Sequence, residues 1–130
     1  MKIVLGLGNP GLEYEGTRHN VGFDVVDQLS DRMQGRWKKP FLRPLLFFSD
    51  ISTSALLIKP LTFMNRSGAV LPYLRDRWRV SPPDILVIVD NMDLPPGRLR
   101  YKSRGSSAGH NGLKSIMHVL WDGNFSRLYV

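Results

Sequence analysis

A histidine and a carboxylate in this sequence could carry out acid–base chemistry together. His19 follows a turn rich in glycine and proline, and Asp90 ends the apolar run at residues 85–89. A carboxylate beside a histidine makes a general base, because it orients the ring and stabilises its charged form. Asparagine amides can hold a water and donate to a developing oxyanion, and the candidates are Asn9, Asn65 and Asn111. The set predicts hydrolysis by an activated water.

The elements that must position these residues follow from the spacing of apolar side chains. Strands are predicted at residues 3–7, 45–48, 55–59, 85–89, 98–102 and 125–130, and helices where apolar residues recur at helical spacing within 25–33, 70–78 and 113–120. Strands that alternate with helices indicate one α/β domain over residues 1–130 with a mostly parallel sheet. Ligands bind beyond the carboxyl ends of such strands, so the five polar residues are expected at one edge.

Composition narrows the class of protein. The 130 residues carry a net charge of +7 and no cysteine, which excludes disulfides, a thiolate nucleophile and cysteine metal sites. No apolar run could span a bilayer and no signal-peptide pattern is present, so we expect a soluble, cytoplasmic protein. Basic residues are concentrated in two runs, Arg32, Arg36, Lys38, Lys39 and Arg43, then Arg98, Arg100, Lys102 and Arg104. These runs are typical of a phosphate-backbone binder, although a merely basic soluble surface has the same composition.

The glycines after the first strand have the spacing of a dinucleotide-binding turn. Gly6, Gly8 and Gly11 match that spacing, but Pro10 lies among them. A dinucleotide fold needs a helix directly after the turn, and proline lacks an amide hydrogen and disfavours helical angles in the residue before it. An ordinary strand-to-loop turn is the better interpretation.

Two other motifs suggest different chemistry. Residues 105–109, with Ser107 at the centre, match a nucleophile elbow, but the only downstream acid, Asp122, follows His110 and His118, so the usual order of Ser, acid and His is not available. A glycine-rich loop whose amides face an anion is the preferred interpretation. Asp90 and Asp93 could hold Mg²⁺, although no third acid lies near them in the sequence.

Four collinear stretches together resemble the bacterial-type peptidyl-tRNA hydrolase family: GLGNPGLEYEGTRHNVGF, KPLTFMNRSG, VDNMDLPPG and GSSAGHNGLKSI. The resemblance extends over essentially the whole chain. It implies a mixed, mostly parallel sheet covered by helices, and an enzyme that cleaves the ester between a peptide and the 3′ ribose of tRNA. It implies neither a metal nor a cofactor. A non-catalytic, hydrolase-like RNA-binding protein is the alternative.

The resemblance also implies roles for individual residues. His19 is then the base that activates water and Asp90 orients it. The remaining implied positions are substrate-binding residues (Asn9, Tyr14, Phe63, Met64, Asn65 and Asn111) and tRNA phosphate contacts (Arg100 and Lys102). The retention of His19, Asp90 and the three asparagines favours the enzyme over the non-catalytic relative.

Two substitutions and the length of the chain depart from the family pattern. Asn91 stands where the family usually has a second acid, and Tyr129 where it commonly has an arginine of a phosphate clamp. The family continues beyond Val130 with the rest of a strand, a loop and C-terminal helices. We therefore expect a chain shortened at its C-terminus, monomeric in the full-length form and able to self-associate when shortened.

Overall fold

The computed structural model describes residues 1–41, 45–91, 95, 97–120 and 123–130. Arg43 of the first basic run and Asp93 of the alternative magnesium site lie outside these residues. Within them the chain forms the strands β1 (Lys2–Gly6), β2 (Leu46–Ser52), β3 (Ala55–Pro60), β4 (Ile85–Val89), β5 (Arg100–Lys102) and β6 (Ser126–Tyr129). The α-helices are α1 (Val21–Arg32), α2 (Leu71–Trp78) and α3 (Asn111–Leu120).

In the described part of the chain the six strands form one sheet in the order β2-β3-β1-β4-β6-β5. β1 pairs in parallel with β3 and β4, and β4 pairs in parallel with β6. The two outer strands, β2 and β5, are antiparallel to their neighbours. The predicted mixed, mostly parallel sheet is confirmed.

Helices cover both faces of the sheet. On one face α1 packs against β1, β3 and β4 around Val26, Leu57 and Ile88. On the other face α2 and α3 help to enclose the larger core, to which Leu74 and Leu113 belong. A short 3-10 segment, Met64–Val70, packs against α3 on that side. None of the helices in the described ranges has both the length and the apolar character needed to cross a bilayer.

Some strand bounds differ from the prediction. β2 extends to Ser52, beyond the predicted end at residue 48, because a strand at the edge of a sheet tolerates polar residues. Ser49 is buried there, and its hydroxyl lies 2.8 Å from the hydroxyl of Ser30. β5 is shorter than predicted and begins at Arg100.

Candidate active site

Asp90 lies directly after β4 and contacts two histidines. Its side chain is only 1% exposed. Oδ2 lies 3.0 Å from Nδ1 of His19, and Oδ1 lies 2.8 Å from Nε2 of His110. An ionised carboxylate can only accept hydrogen bonds, so each histidine donates one N–H to it. The expected pair of His19 and Asp90 is present in the geometry, and His110 adds a second partner that the sequence analysis did not assign.

The charge of Asp90 follows from this environment. Burial alone raises the pKa of a carboxyl group, because it disfavours the charged form. Here the hydrogen bonds and positive potential of His110 and His19 outweigh burial and hold the pKa of Asp90 below its ordinary value of 3.8. Asp90 is therefore a carboxylate at neutral pH.

His110 lies immediately before α3 and caps that helix. Its Nδ1 accepts hydrogen bonds from the amides of Gly112, at 3.1 Å, and Leu113, at 3.3 Å. A helix leaves its first amides without intrahelical partners, and a side-chain acceptor at the preceding position satisfies them. Because Nδ1 accepts, the hydrogen of the neutral ring is on Nε2, which donates to Asp90. Histidine is not among the preferred capping residues, so this role could not be predicted from residue type.

His19 lies in the 3-10 turn Arg18–Asn20 that precedes α1. In contrast to His110, its side chain is 57% exposed. Its ring meets that of His110 edge-on, with 6.0 Å between the centroids. With Nδ1–H donated to Asp90, the lone pair of the neutral ring is on Nε2, which is the arrangement of a general base.

Asn20 holds the backbone of Asn9, and both residues line a different pocket from that of His19 and Asp90. The side chain of Asn20 is buried; its Oδ1 accepts from the backbone amide of Asn9 at 2.8 Å, and its Nδ2 donates to the carbonyl of Asn9 at 3.0 Å. Oδ1 of Asn9 in turn accepts from the amide of Met64 at 2.6 Å. Among the described residues Nδ2 of Asn9 has no partner, so it is available to donate to a ligand. Asn20 was not predicted, because a buried asparagine that bonds backbone groups leaves no sequence motif.

A pocket of about 370 Å³ opens beside the two histidines. The predicted residues that line it together are His19, Asp90, Arg100, Lys102 and Asn111. Arg100 and Lys102 are exposed on β5. The structure therefore brings the acid–base pair, one asparagine and two cations of the second basic run to one place.

The other predicted residues are not among those that line this pocket. Asn65 lines an adjacent groove together with Asn111. The rings of Tyr14 and Phe63 meet edge-on at 6.3 Å, and Phe63 is 55% exposed. Met64 is buried in the core, so it contacts Asn9 through its backbone amide while its side chain packs inside the protein.

Comparison with known proteins settles the family. The family model described as peptidyl-tRNA hydrolase matches residues 3–130. The chain belongs to the peptidyl-tRNA hydrolase family. It is 46% identical to the peptidyl-tRNA hydrolase of Listeria welshimeri, covering 100% of this chain and 71% of that protein. It is also 46% identical to the Geobacillus kaustophilus peptidyl-tRNA hydrolase, covering 70% of it.

Solved structures agree with this assignment. The crystal structure of peptidyl-tRNA hydrolase from Acinetobacter baumannii matches with a TM-score of 0.90 and 37% sequence identity. The match covers 100% of this chain and 67% of that one. The family resemblance expected from the four sequence stretches is thus confirmed.

Two glycines near the start of this family member, Gly6 and Gly8, lie where packing leaves no room for a side chain. A Cβ on Gly6 would lie 2.4 Å from the carbonyl oxygen of Gly22, so β1 and α1 approach too closely for a side chain. Moreover α1 begins only at Val21, well after Gly11. This agrees with an ordinary turn and not with a dinucleotide cradle.

The loop with Ser107 belongs to the pocket lining but lacks the partner of a nucleophile. Ser107 lines the pocket. Both ring nitrogens of the neighbouring His110 are already hydrogen-bonded, so His110 is not placed to take a proton from Ser107. Arg127, which is fully buried, donates to the carbonyl oxygens of Ser106, at 2.8 Å, and Gly123. These bonds fasten the loop to β6, a role that the sequence analysis did not predict.

His19, Asp90 and His110 also form a set that could ligate a metal. Each offers one ligand atom, and these atoms lie within 4.8 Å of one another. A metal on Nε2 of His110 would move the ring hydrogen to Nδ1, which faces two helix amides that are themselves donors. The hydrogen bonds therefore fit a metal-free network better than a metal centre.

Proposed function

We propose that this chain hydrolyses the ester bond between peptide and tRNA in peptidyl-tRNA. The observation that carries the proposal is the anchoring of His19 on a buried carboxylate, with the ring exposed at a pocket that also contains two cations. Family membership supports the same substrate, since relatives that are 46% identical to this chain are peptidyl-tRNA hydrolases. We further propose a cytoplasmic location and turnover without metal or cofactor.

In the proposed reaction Nε2 of His19 takes a proton from water as the water oxygen bonds to the ester carbonyl carbon. Asp90 keeps the ring oriented and stabilises its positive charge. The tetrahedral intermediate then collapses and the bond to the ribose 3′ oxygen breaks. His19 returns its proton to that oxygen, which yields a free peptide carboxyl and tRNA.

Side-chain amides of asparagine stabilise the oxyanion in this reaction. Oδ1 of Asn9 accepts a hydrogen bond from the backbone amide of Met64, which leaves Nδ2 of Asn9 to donate to the oxyanion. Asn111 at the pocket wall is a second donor. Asn65, Tyr14 and Phe63 bind the substrate farther out. His110 and Asn20 act as positioning residues, since each touches a residue of this set and not the reacting atoms.

Arg100 and Lys102 supply contacts to tRNA phosphate. They are exposed at the mouth of the pocket, where a nucleic-acid backbone can reach them. These contacts raise the affinity for tRNA but do not recognise its sequence, and they weaken as the salt concentration rises. Neutralising both should flatten the dependence of log Kd on log salt by roughly one unit for each lost phosphate contact.

Hydrolysis of a purified peptidyl-tRNA, run beside the corresponding aminoacyl-tRNA, tests the function. We expect release of the peptide from the first substrate, retained activity after treatment with EDTA when tRNA folding is controlled, and loss in His19→Ala. Tight tRNA binding with no turnover would instead support the non-catalytic RNA-binding alternative. Activity that EDTA abolishes and Mg²⁺ restores would contradict the metal-free mechanism.

A further inference from the structure

A second groove begins at Asn111, where the catalytic pocket ends. It lies between the Met64–Val70 segment and α3 and has a volume of about 470 Å³. Asn65 and Asn111 stand at its head, and Arg66, Lys114 and His118 line its length. Because Asn111 borders both cavities, a ligand that leaves the pocket past Asn111 enters this groove.

The two walls of the groove are locked together. The amide of Gly68 donates to Oγ of Ser115 at 2.8 Å. A Cβ added to Gly68 would lie 2.4 Å from the carbonyl oxygen of Ser115, so the backbones are as close as they can be. The spacing between the walls is thus fixed before any ligand binds, which lowers the cost of ordering the site.

The groove is electropositive. Arg66 on one wall and Lys114 on the other are both exposed, and neither forms an ion pair within the described part of the chain. His118 adds an exposed imidazole one turn beyond Lys114 on α3. No aspartate or glutamate is among the lining residues that the structure describes. An anion is therefore the ligand that this groove fits.

The position of the groove indicates which part of the substrate supplies that anion. The ester carbon bears the ribose oxygen on one side and the peptide on the other. Arg100 and Lys102 line the pocket, and the groove departs from the pocket on the side of Asn111 and Asn65. If tRNA phosphate lies at Arg100 and Lys102, the peptide extends past Asn111.

We propose that this groove binds the peptidyl part of the substrate and favours acidic side chains close to the ester. The inference rests on the proposed function. Lys114 and His118 lie three and seven residues after Asn111, or about 4.5 and 10.5 Å along the helix. An extended peptide advances about 3.3 Å per residue, so the second to fourth residues from the ester reach these two side chains.

The test uses three substrates that share one tRNA and differ at one peptide position. Acetylated tripeptides carry Asp, Asn or Lys as the second residue from the ester. We expect wild-type kcat/KM to be roughly two- to tenfold higher for Asp than for Asn, and lowest for Lys, as exposed charge pairs contribute modestly. Arg66→Gln and Lys114→Gln, alone and together, should reduce the Asp preference while the Asn substrate keeps its rate.

Arg32→Gln is the matched control, because Arg32 is exposed on α1, on the opposite face of the sheet. It should leave the Asp preference intact. Equal rates on all three substrates would overturn the inference and leave the proposed function standing. An equal loss of kcat/KM on all three substrates in the groove variants, together with a flatter salt dependence, would also overturn the inference. That result would indicate that Arg66 and Lys114 contact tRNA phosphate. Failure to hydrolyse any of the three would contradict the proposed function, and the inference with it.

Discussion

The two histidines that bind Asp90 lie in contrasting surroundings. His19 sits on a short 3-10 turn with its side chain 57% exposed, whereas the side chain of His110 is only 10% exposed at the start of α3. Nε2 of His19 faces outward, while both nitrogens of His110 are engaged, one by Asp90 and one by helix amides. Residue type and carboxylate partner are therefore the same on both sides, and in the proposed mechanism accessibility distinguishes the base from the positioning residue.

The two histidines also differ in the contacts that hold them in place. On the His110 side a regular helix fixes the ring through its own unsatisfied amides. On the His19 side the ring lies in a 3-10 turn before α1, and Asn20 holds the preceding loop by bonding the backbone of Asn9 on both its amide and its carbonyl. A polar side chain thus gives an irregular loop the rigidity that a helix end has already.

Removing the base should have the largest effect. His19→Ala should lower kcat on the order of 10²- to 10⁴-fold, because no other described side chain holds a free imidazole nitrogen on Asp90. Single-turnover hydrolysis measures this, and tRNA binding measured by fluorescence anisotropy should be unchanged. Near-normal turnover would exclude His19 as the base and return attention to Ser107.

The buried side should respond more weakly to substitution. His110→Asn retains a side-chain oxygen that can cap α3 but has no atom at the Nε2 position that contacts Asp90, whereas His110→Ala removes both groups. Both should reduce kcat by roughly 10- to 100-fold, as for other hydrogen-bonding partners that orient a reactive group. The free energy of unfolding, measured by thermal denaturation, should be about 1 kcal/mol higher for His110→Asn than for His110→Ala, because a helix cap usually contributes that much. Equal kcat in wild type and His110→Asn would show that the bond to Asp90 is dispensable.

Loosening the loop should affect stability and rate together. Asn20→Ala leaves the amide and carbonyl of Asn9 without these partners, which should lower the free energy of unfolding by about 1 to 3 kcal/mol. We expect kcat to fall by roughly tenfold, because the backbone that loses these bonds is that of Asn9, and Asn20 directly follows His19. A displaced reacting group has a cost of this order. Gln28→Ala, an exposed change on α1, is the control and should alter neither quantity. Denaturant titration with parallel kinetics decides the outcome.

The sequence predicted the sheet and the meeting of strand ends because both depend on apolar periodicity. The run at residues 85–89 ends at Asp90 as expected, and β1 leads into the loop with His19. The pairing of His19 with Asp90 followed from that topology and from the family resemblance. Their mechanistic roles stay predictions.

What the sequence did not predict depends on hydrogen bonds that have no periodicity. His110 acts through the direction of each ring nitrogen, and Asn20 and Arg127 act on backbone groups far from them in sequence or in other elements. Met64 was assigned to the cleft, but the contact that it makes with Asn9 uses its amide, which every residue type except proline carries. Such roles become visible only when the backbone is in place.

The smallest expected effect separates the two histidines through Asp90 itself. Desolvation raises the pKa of this carboxyl, and the bond from His110 lowers it more than the bond from His19 does. The pKa of Asp90, followed by NMR of its carboxyl carbon, should therefore rise in both His19→Ala and His110→Asn, and more in the second.

A folded pKa below the unfolded value stabilises the protein above the unfolded pKa, and this contribution is lost as the pH falls through the folded pKa. The stability that Asp90 contributes, and that acidification removes, should accordingly be largest in the wild type, smaller in His19→Ala and smallest in His110→Asn. Asp84→Asn, which removes a half-buried carboxyl of lowered pKa at the other end of β4, should leave the pKa of Asp90 unchanged. A larger rise in His19→Ala than in His110→Asn would reverse the comparison and make the exposed histidine the main partner of the carboxylate.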